Sequence, residues 1–477
     1  MARNILKLLT YSLLCTLPAA GAWADGAMYA MTNALDNNEI LVFHRAANGN
    51  LNLAQTVATG GGGSGLQLAA VDPLGSQGSV QLDPDHRFLF VVNTESAAEN
   101  NGNPNFPYNT DCQQGTITSF IVESDGTLTF ADRVFSRGLF PNSLTVIKRE
   151  RRHGGQDQGD DGQDQGSGRA GSKDLLYVLN AGGPEPPAVC RLTPDTANTP
   201  NIAGFKVDRA GHMTPIDSTQ PIDPGPATGP AGGVSCTAAA AAGFSALTGA
   251  PAADFQCGLN PPSFPRSPAQ VRFTPDGNQL VVTVKGTNTI YVFPVDRDGN
   301  AGNPTISQAP GPALPTFFGL TFDKQEHLLV SDTFGSATSI PAAGAGAASS
   351  FTILDNGHLV PISSAVGDGG TAACWIALEP ITGKYAYVSN NLSRSISSYT
   401  VGNDGTLTLL NGTAASPIGP NDLSLVTEGR ASFLYVLASG TGTVAAFQVN
   451  LTNGSLTAIT GGSGLPAAHS AQGLAAY

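Results

Sequence analysis

Apolar positions along the chain fall in short runs rich in Val, Ile, Leu, Phe and Tyr, and the runs are separated by Gly, Asn, Asp and Pro. Runs of this kind predict short strands joined by tight turns. The i, i+3, i+4 spacing of an amphipathic helix is almost absent. The pattern also repeats. "AQVRFTPDGNQLVVTVKGTNTIYVFPVDRDGN" from Ala269 and "CWIALEPITGKYAYVSNNLSRSISSYTVGNDGTLTLL" from Cys374 share one plan: strand, turn, strand, polar loop, strand, Asp-Gly turn, strand. The same plan recurs from Ser79, Ser143, Gly319 and Asp422.

With the strands of each unit named A to D, the A strands are "SVQLD", "SLTVI", "QVRF", "GLTF", "CWIAL", "DLSLV" and finally "QGLAAY". The first B, C and D strands, "AMYAMTN", "EILVFHR" and "LNLAQTV", have no A strand before them. Sequence therefore predicts an all-β fold, a seven-bladed β-propeller of four-stranded antiparallel blades. The C-terminal strand, residues 472–477, would complete the N-terminal blade and close the ring. In such a blade the A–B and C–D turns share one face of the disc, and the B–C loops and D-to-A connections share the other. The second face receives the long insertions 94–115, 181–201, 220–268 and 335–350. Elaborated loops on a rigid scaffold are the expected place for binding. One insertion, 149–173, "RERRHGGQDQGDDGQDQGSGRAGSK", falls instead in an A–B turn, and its Gln, Asp and Gly content predicts disorder.

The first 24 residues do not fit the repeat. Arg3 and Lys7, an apolar stretch from Leu8 and the small-x-small Ala22-Trp23-Ala24 read as a signal peptide, 1–24, leaving a single propeller domain, 25–477, in the periplasm or secreted. No later apolar run is long enough to span a bilayer. The net charge of −13 moves to about −15 when Arg3 and Lys7 are removed, and such a surface excludes nucleic acid and anionic lipid as partners. Five cysteines remain outside the leader. Cys112 and Cys190 lie in B–C loops of neighbouring blades, while Cys236 and Cys257 share one long connection, so two disulfides are expected. Cys374, at the start of an A strand, is the expected free thiol, a small buried apolar residue. No pattern points to a metal or an organic cofactor, and a monomer is expected.

"FTPDGNQLVVTV", "LDPDHRFLFVVN" and "SYTVGNDGTLTLL" in a leader-bearing seven-bladed repeat resemble the lactonase-like propellers, the family of 6-phosphogluconolactonase and carboxymuconate cyclase. The resemblance spans the chain after the leader. It implies lactone-opening chemistry with His, Arg and Glu near the central channel, often with His after a Pro where an A strand begins. Here those positions read "GSQGSVQL", "FPNSLTVI" and "RSPAQVRF", without Pro-His.

Opening a lactone needs a cation or N–H cluster for the developing oxyanion and a base for water. Candidates are departures from the repeat, because a residue recurring in every blade is structural. Asn93, Asn180 and Asn390 share the column at the end of strand B and read as turn caps; Asp332 puts a charge there, as a base, a sugar-hydroxyl acceptor or the same local hydrogen bond. Lys285 follows that strand end in the unit that starts at Ala269, and Arg266 precedes the A strand of the same unit, two cations in a chain poor in them. Glu95 and Arg394, in B–C loops, are weaker candidates. Of the histidines, His86, His327, His212 and His358 fall in A–B or C–D turns, His153 in the 149–173 insertion and His44 on a C strand. Only His469 is on the elaborated face as a possible imidazole base. Two functions follow: hydrolysis of a sugar lactone or other small cyclic ester, or non-catalytic binding of a carbohydrate, peptide or protein partner through the insertion-rich face.

Overall fold

The computed structural model describes residues 26–34, 37–65, 72–94, 115–149, 174–182, 199–223, 268–285, 287–308, 316–333, 343–467 and 471–477. These form seven four-stranded antiparallel sheets. The innermost strands, in chain order, are Val80–Leu82, Pro141–Lys148, Pro268–Phe273, Phe317–Phe322, Ala373–Leu378, Pro420–Glu428 and Leu474–Ala476, which open blades II to VII and I. The last pairs antiparallel with Gly26–Met31, so blade I takes one strand from one end of the chain and three from the other, as the repeat predicts.

Burial explains the strand patterns. Strand B of blade VI, Tyr385–Asn390, is buried at every position because each face meets a neighbouring blade. Tyr387 packs with Leu434 and Val436 of blade VII, whereas Ala386 and Val388 pack with Leu329 of blade V. The outermost strand, Leu407–Ala415, reads mostly exposed after its first residue. The core is thus a ring of inter-blade layers, each buried Leu or Phe contributing roughly 1.5–3 kcal/mol.

A polar latch repeats between blades. Tyr29, Tyr177, Tyr387 and Tyr435, each on strand B, donate their hydroxyls at 2.7–2.8 Å to the carbonyls of Gly126, Gly299, Gly454 and Gly49 in the C–D turn of the next blade. Those glycines have φ of 84°, 92°, 71° and 81°. A side chain there would be strained, so the turn that offers the carbonyl needs glycine.

Candidate functional site

Seven innermost strands surround the central channel, and the connection from blade I to blade II enters it. Asp72–Ser79, "DPLGSQGS", crosses the channel among the amino-terminal halves of the innermost strands, that is, at the elaborated face. Ser76 Oγ donates to the Asn142 carbonyl of blade III at 2.6 Å, and Asn142 Nδ2 donates to the Pro268 carbonyl of blade IV at 2.9 Å. Gln77 N donates to Ala269 O at 3.2 Å. Its side chain pairs with the main chain of Ile376 in blade VI, Nε2 donating to the carbonyl at 3.0 Å and Oε1 accepting from the N–H at 3.2 Å. Trp375 Nε1 donates to Ser76 O at 2.9 Å. Gly75 and Gly78 take φ of 59° and 84°, which lets the segment turn in so narrow a space. Gly319 matters for another reason: a Cβ there would collide with Gln77 Oε1.

Four ionisable groups gather under this plug. Lys285 is buried, donates from Nζ to the Gly75 carbonyl and lies 4.9 Å from the centroid of the Phe318 ring. Asp72 is buried and accepts Gly75 N at 2.8 Å. Burial pushes the Asp72 carboxyl up and the Lys285 ammonium down, and the charge of each partly offsets the shift of the other. Burial raises the Cys374 thiol as well. Asp422, on the innermost strand of blade VII, is pushed up to about 7 by burial although the N–H groups of Leu423, Gly78 and Leu474 favour its charge.

Asp332 has a different environment. It ends strand B of blade V, Leu328–Asp332, and accepts from Ser349 Oγ on strand C at 2.6 Å. Its other oxygen is buried and lacks a hydrogen-bond partner among the described residues. Burial first, opposed by Ser349 and joined by the nearby Asp368, pushes the carboxyl up to about 8. The amides of the same column do more than cap turns. Asn93 Nδ2 donates to Thr116 and Thr118 of strand C at 3.1 and 3.0 Å, and its Oδ1 accepts from Thr59 of the preceding blade at 2.6 Å. Asn390 Nδ2 reaches Ser397 at 2.7 Å, and Asn180 Nδ2 reaches Ser136 O of the preceding blade at 3.0 Å. The column stitches strands and blades together.

Lys285 and Asp332 therefore stand at equivalent strand ends of adjacent blades with different partners, the lysine turned to the plug and the aspartate to its own strand C. Arg266, His469 and Glu95 lie outside the described residues, as do Cys112, Cys190, Cys236, Cys257 and residues 1–24, where the sequence predicts a leader. Of the 149–173 insertion only Arg149 is described, and it donates to Gly277 O at 2.9 Å. Cys374 is buried with a free thiol. Arg394, in the turn after Asn390, takes φ 55°.

Among the described residues, the channel also has open space toward the A–B turns. A cavity of about 410 Å3 is bounded there by residues of the innermost strands of blades II to V, among them Gln81, Thr145, Gln270 and Arg272. Cross-strand register shows why Arg272 stands out. Gln81, Thr145, Arg272, Thr321, Ala377, Ser424 and Ala475 each face the same position of their own strand B, respectively Phe90, Tyr177, Val281, Leu329, Tyr387, Tyr435 and Tyr29. Six are small or neutral and one is a guanidinium. Departure from the repeat could have found Arg272 in "QVRF", as it found Asp332, and likewise Asp422, which shares its column with Ser79, Ser143 and Gly473. Comparing only strand-B ends and loops, and not the innermost strands, leaves both unseen.

No curated protein sequence matches the chain. Solved structures match over nearly its whole length. A proposed 6-phosphogluconolactonase from Bacteroides fragilis is 16% identical, with 96% of this chain and 99% of that one covered and a TM-score of 0.54. The periplasmic gluconolactonase of Pseudomonas aeruginosa is 16% identical over 93% of this chain and 97% of its own, with a TM-score of 0.55. A protein from Lactobacillus plantarum is 15% identical over 95% and 99%, with a TM-score of 0.56. At these identities the likeness is one of fold. Residues 360–469, from the last strand of blade V through blade VII, match the family model of the seven-bladed β-propeller lactonases. The chain is a seven-bladed β-propeller whose last two blades are similar to the seven-bladed propeller lactonases.

Proposed function

We propose that the protein is an extracytoplasmic lactonase-like hydrolase that opens a sugar lactone or another small cyclic ester with water. The observation that carries this reading is the match of residues 360–469 to the lactonase propeller model, supported by full-length likeness to a gluconolactonase. In this reading Arg266 or Lys285 steadies the oxyanion, and Asp332 or His469 accepts the proton of water. Burial suits Asp332 to that task, since a carboxyl held up to about 8 can keep and release a proton near neutral pH. Lys285 would act once the Gly75 carbonyl yields its ammonium to the substrate. Residues 1–24 would direct export, and the paired cysteines would staple the loops of the elaborated face. The test is lactone opening in a pH-stat by the purified protein, with glucono-lactone and a panel of other lactones against a buffer blank. Acceleration that Arg266→Ala removes, with folding intact, is the expected result; no acceleration across the panel by folded protein sinks the hydrolase.

One observation favours a second reading. Asp72–Ser79 fills the channel at the elaborated end and occupies Lys285, which suits a binding scaffold whose insertion-rich face takes a carbohydrate, peptide or protein partner. A folded protein inactive on every lactone that still binds oligosaccharides or peptides in glycan and peptide arrays would establish it.

A further inference from the structure

The cavity at the A–B face holds a charge that nothing around it answers. Arg272 lines it, and among the described residues its guanidinium makes no hydrogen bond or ion pair. The two carboxylates on the wall are committed to their own turns. Asp83 Oδ1 accepts from Arg87 N at 2.5 Å and Phe88 N at 2.6 Å, with the Arg87 guanidinium 3.4 Å from its other oxygen. Asp323 Oδ1 accepts from Gln325 N and His327 N at 2.9 and 2.8 Å, and its Oδ2 lies 2.7 Å from the His327 ring. Desolvation alone lowers the Arg272 pKa from its ordinary value, and no carboxylate acts to raise it. Amide donors are at hand: Gln270 gives its Oε1 to Leu320 N at 2.6 Å, which leaves Nε2 as a donor, and Gln81 lines the same wall. A partly desolvated guanidinium with no countercharge, in a chain of net charge −13, is a standing cost that an anion would remove.

We propose that Arg272, with the amides of Gln81 and Gln270, makes this cavity an anion site that takes the carboxylate of a small organic acid entering from the A–B face. A guanidinium presents two parallel N–H groups that match a carboxylate. The volume, about 410 Å3, fits a ligand of sugar-acid size and excludes a polymer. The site stands at the opposite end of the channel from Lys285 and holds whether or not the protein opens lactones.

The test is calorimetric titration of the full chain with gluconate, inorganic phosphate and, as the neutral control, glucose. Gluconate should bind and glucose should not. Arg272→Gln should weaken gluconate by roughly tenfold or more, as expected for loss of a charge-assisted hydrogen bond, while Arg272→Lys retains part of the affinity. Thermal unfolding of each variant establishes that it is folded. Equal gluconate affinity in Arg272→Gln and the unsubstituted protein overturns the site. So does failure of folded protein to bind gluconate, and binding of phosphate alone overturns the carboxylate assignment.

Discussion

Asp332 carries a carboxyl where blades II, III and VI carry an amide, and the difference has a cost that depends on pH. Its folded-state pKa is pushed up to about 8, whereas an unfolded aspartate titrates near 4. Below the unfolded value both states hold the proton and the group is neutral to folding. As pH rises from about 4 to about 8 the unfolded chain releases the proton and the folded one keeps it, so stability falls through that window and levels off above it. Asp332→Asn cannot ionise, and its amide can donate to Ser349 as the sibling amides do to strand C. The variant should match the unsubstituted protein near pH 4 and exceed it by ~1–3 kcal/mol at pH 8 and above. Thermal unfolding across pH measures the gap, and a gap of constant size refutes the buried-acid account. Asp332 was legible because a repeat makes its own control: the charge is visible against Asn93, Asn180 and Asn390. What the column does was not legible, since its partners, Thr59 and Ser136, belong to a different blade.

At the scale of the element, the connection from blade I to blade II becomes a plug in the channel. "DPLGSQGS" has turn chemistry and no period, so as sequence it is one more connection across the elaborated face. Its partners are main-chain atoms of Asn142, Ala269 and Ile376 in three other blades, and backbone atoms leave no trace in a sequence pattern. Gln77 is the side chain to remove. Without it the N–H and carbonyl of Ile376 lose their partners in a buried strand, and Gln77→Ala should cost about 2–4 kcal/mol. Trp375 reports the same event locally, because its Nε1–H is bonded to Ser76 O and the sequence has one other tryptophan, Trp23. Its emission should move to the red and become quenchable by acrylamide in Gln77→Ala before global unfolding. Emission unchanged from the unsubstituted protein would mean that the segment holds its place without Gln77.

Across the whole molecule, the repeat was the most legible level, because a blade that buries both faces of strand B needs a continuous apolar run there every time. Closure follows from the count of A strands and appears as the pairing of Met28, Tyr29 and Ala30 with Ala476, Ala475 and Leu474. Around that ladder Met31 N donates to Gly473 O at 3.1 Å, Gln472 N to Met31 O at 3.2 Å and Tyr477 N to Ala27 O at 3.0 Å. Buried Arg45 clamps the junction, donating from Nε to Tyr477 O at 2.9 Å and from Nη2 to Glu428 of blade VII at 2.8 Å. The Tyr477 ring also stacks on His86 of blade II at 4.8 Å between centroids, while Arg45 links its carbonyl to Glu428 of blade VII. Deleting residues 472–477 exposes the inner edge of Gly26–Met31, removes the buried Leu474 and takes from Arg45 its bond to the Tyr477 carbonyl. At about 1 kcal/mol for each lost backbone bond, plus the burial of Leu474, the loss should be on the order of 5 kcal/mol. An ordinary surface tail of that length costs almost nothing. Denaturant unfolding of the truncated chain therefore separates the two cases: a large fall in midpoint with association through the open edge is expected, and a midpoint within error of the full chain would show that the ring holds without its last strand.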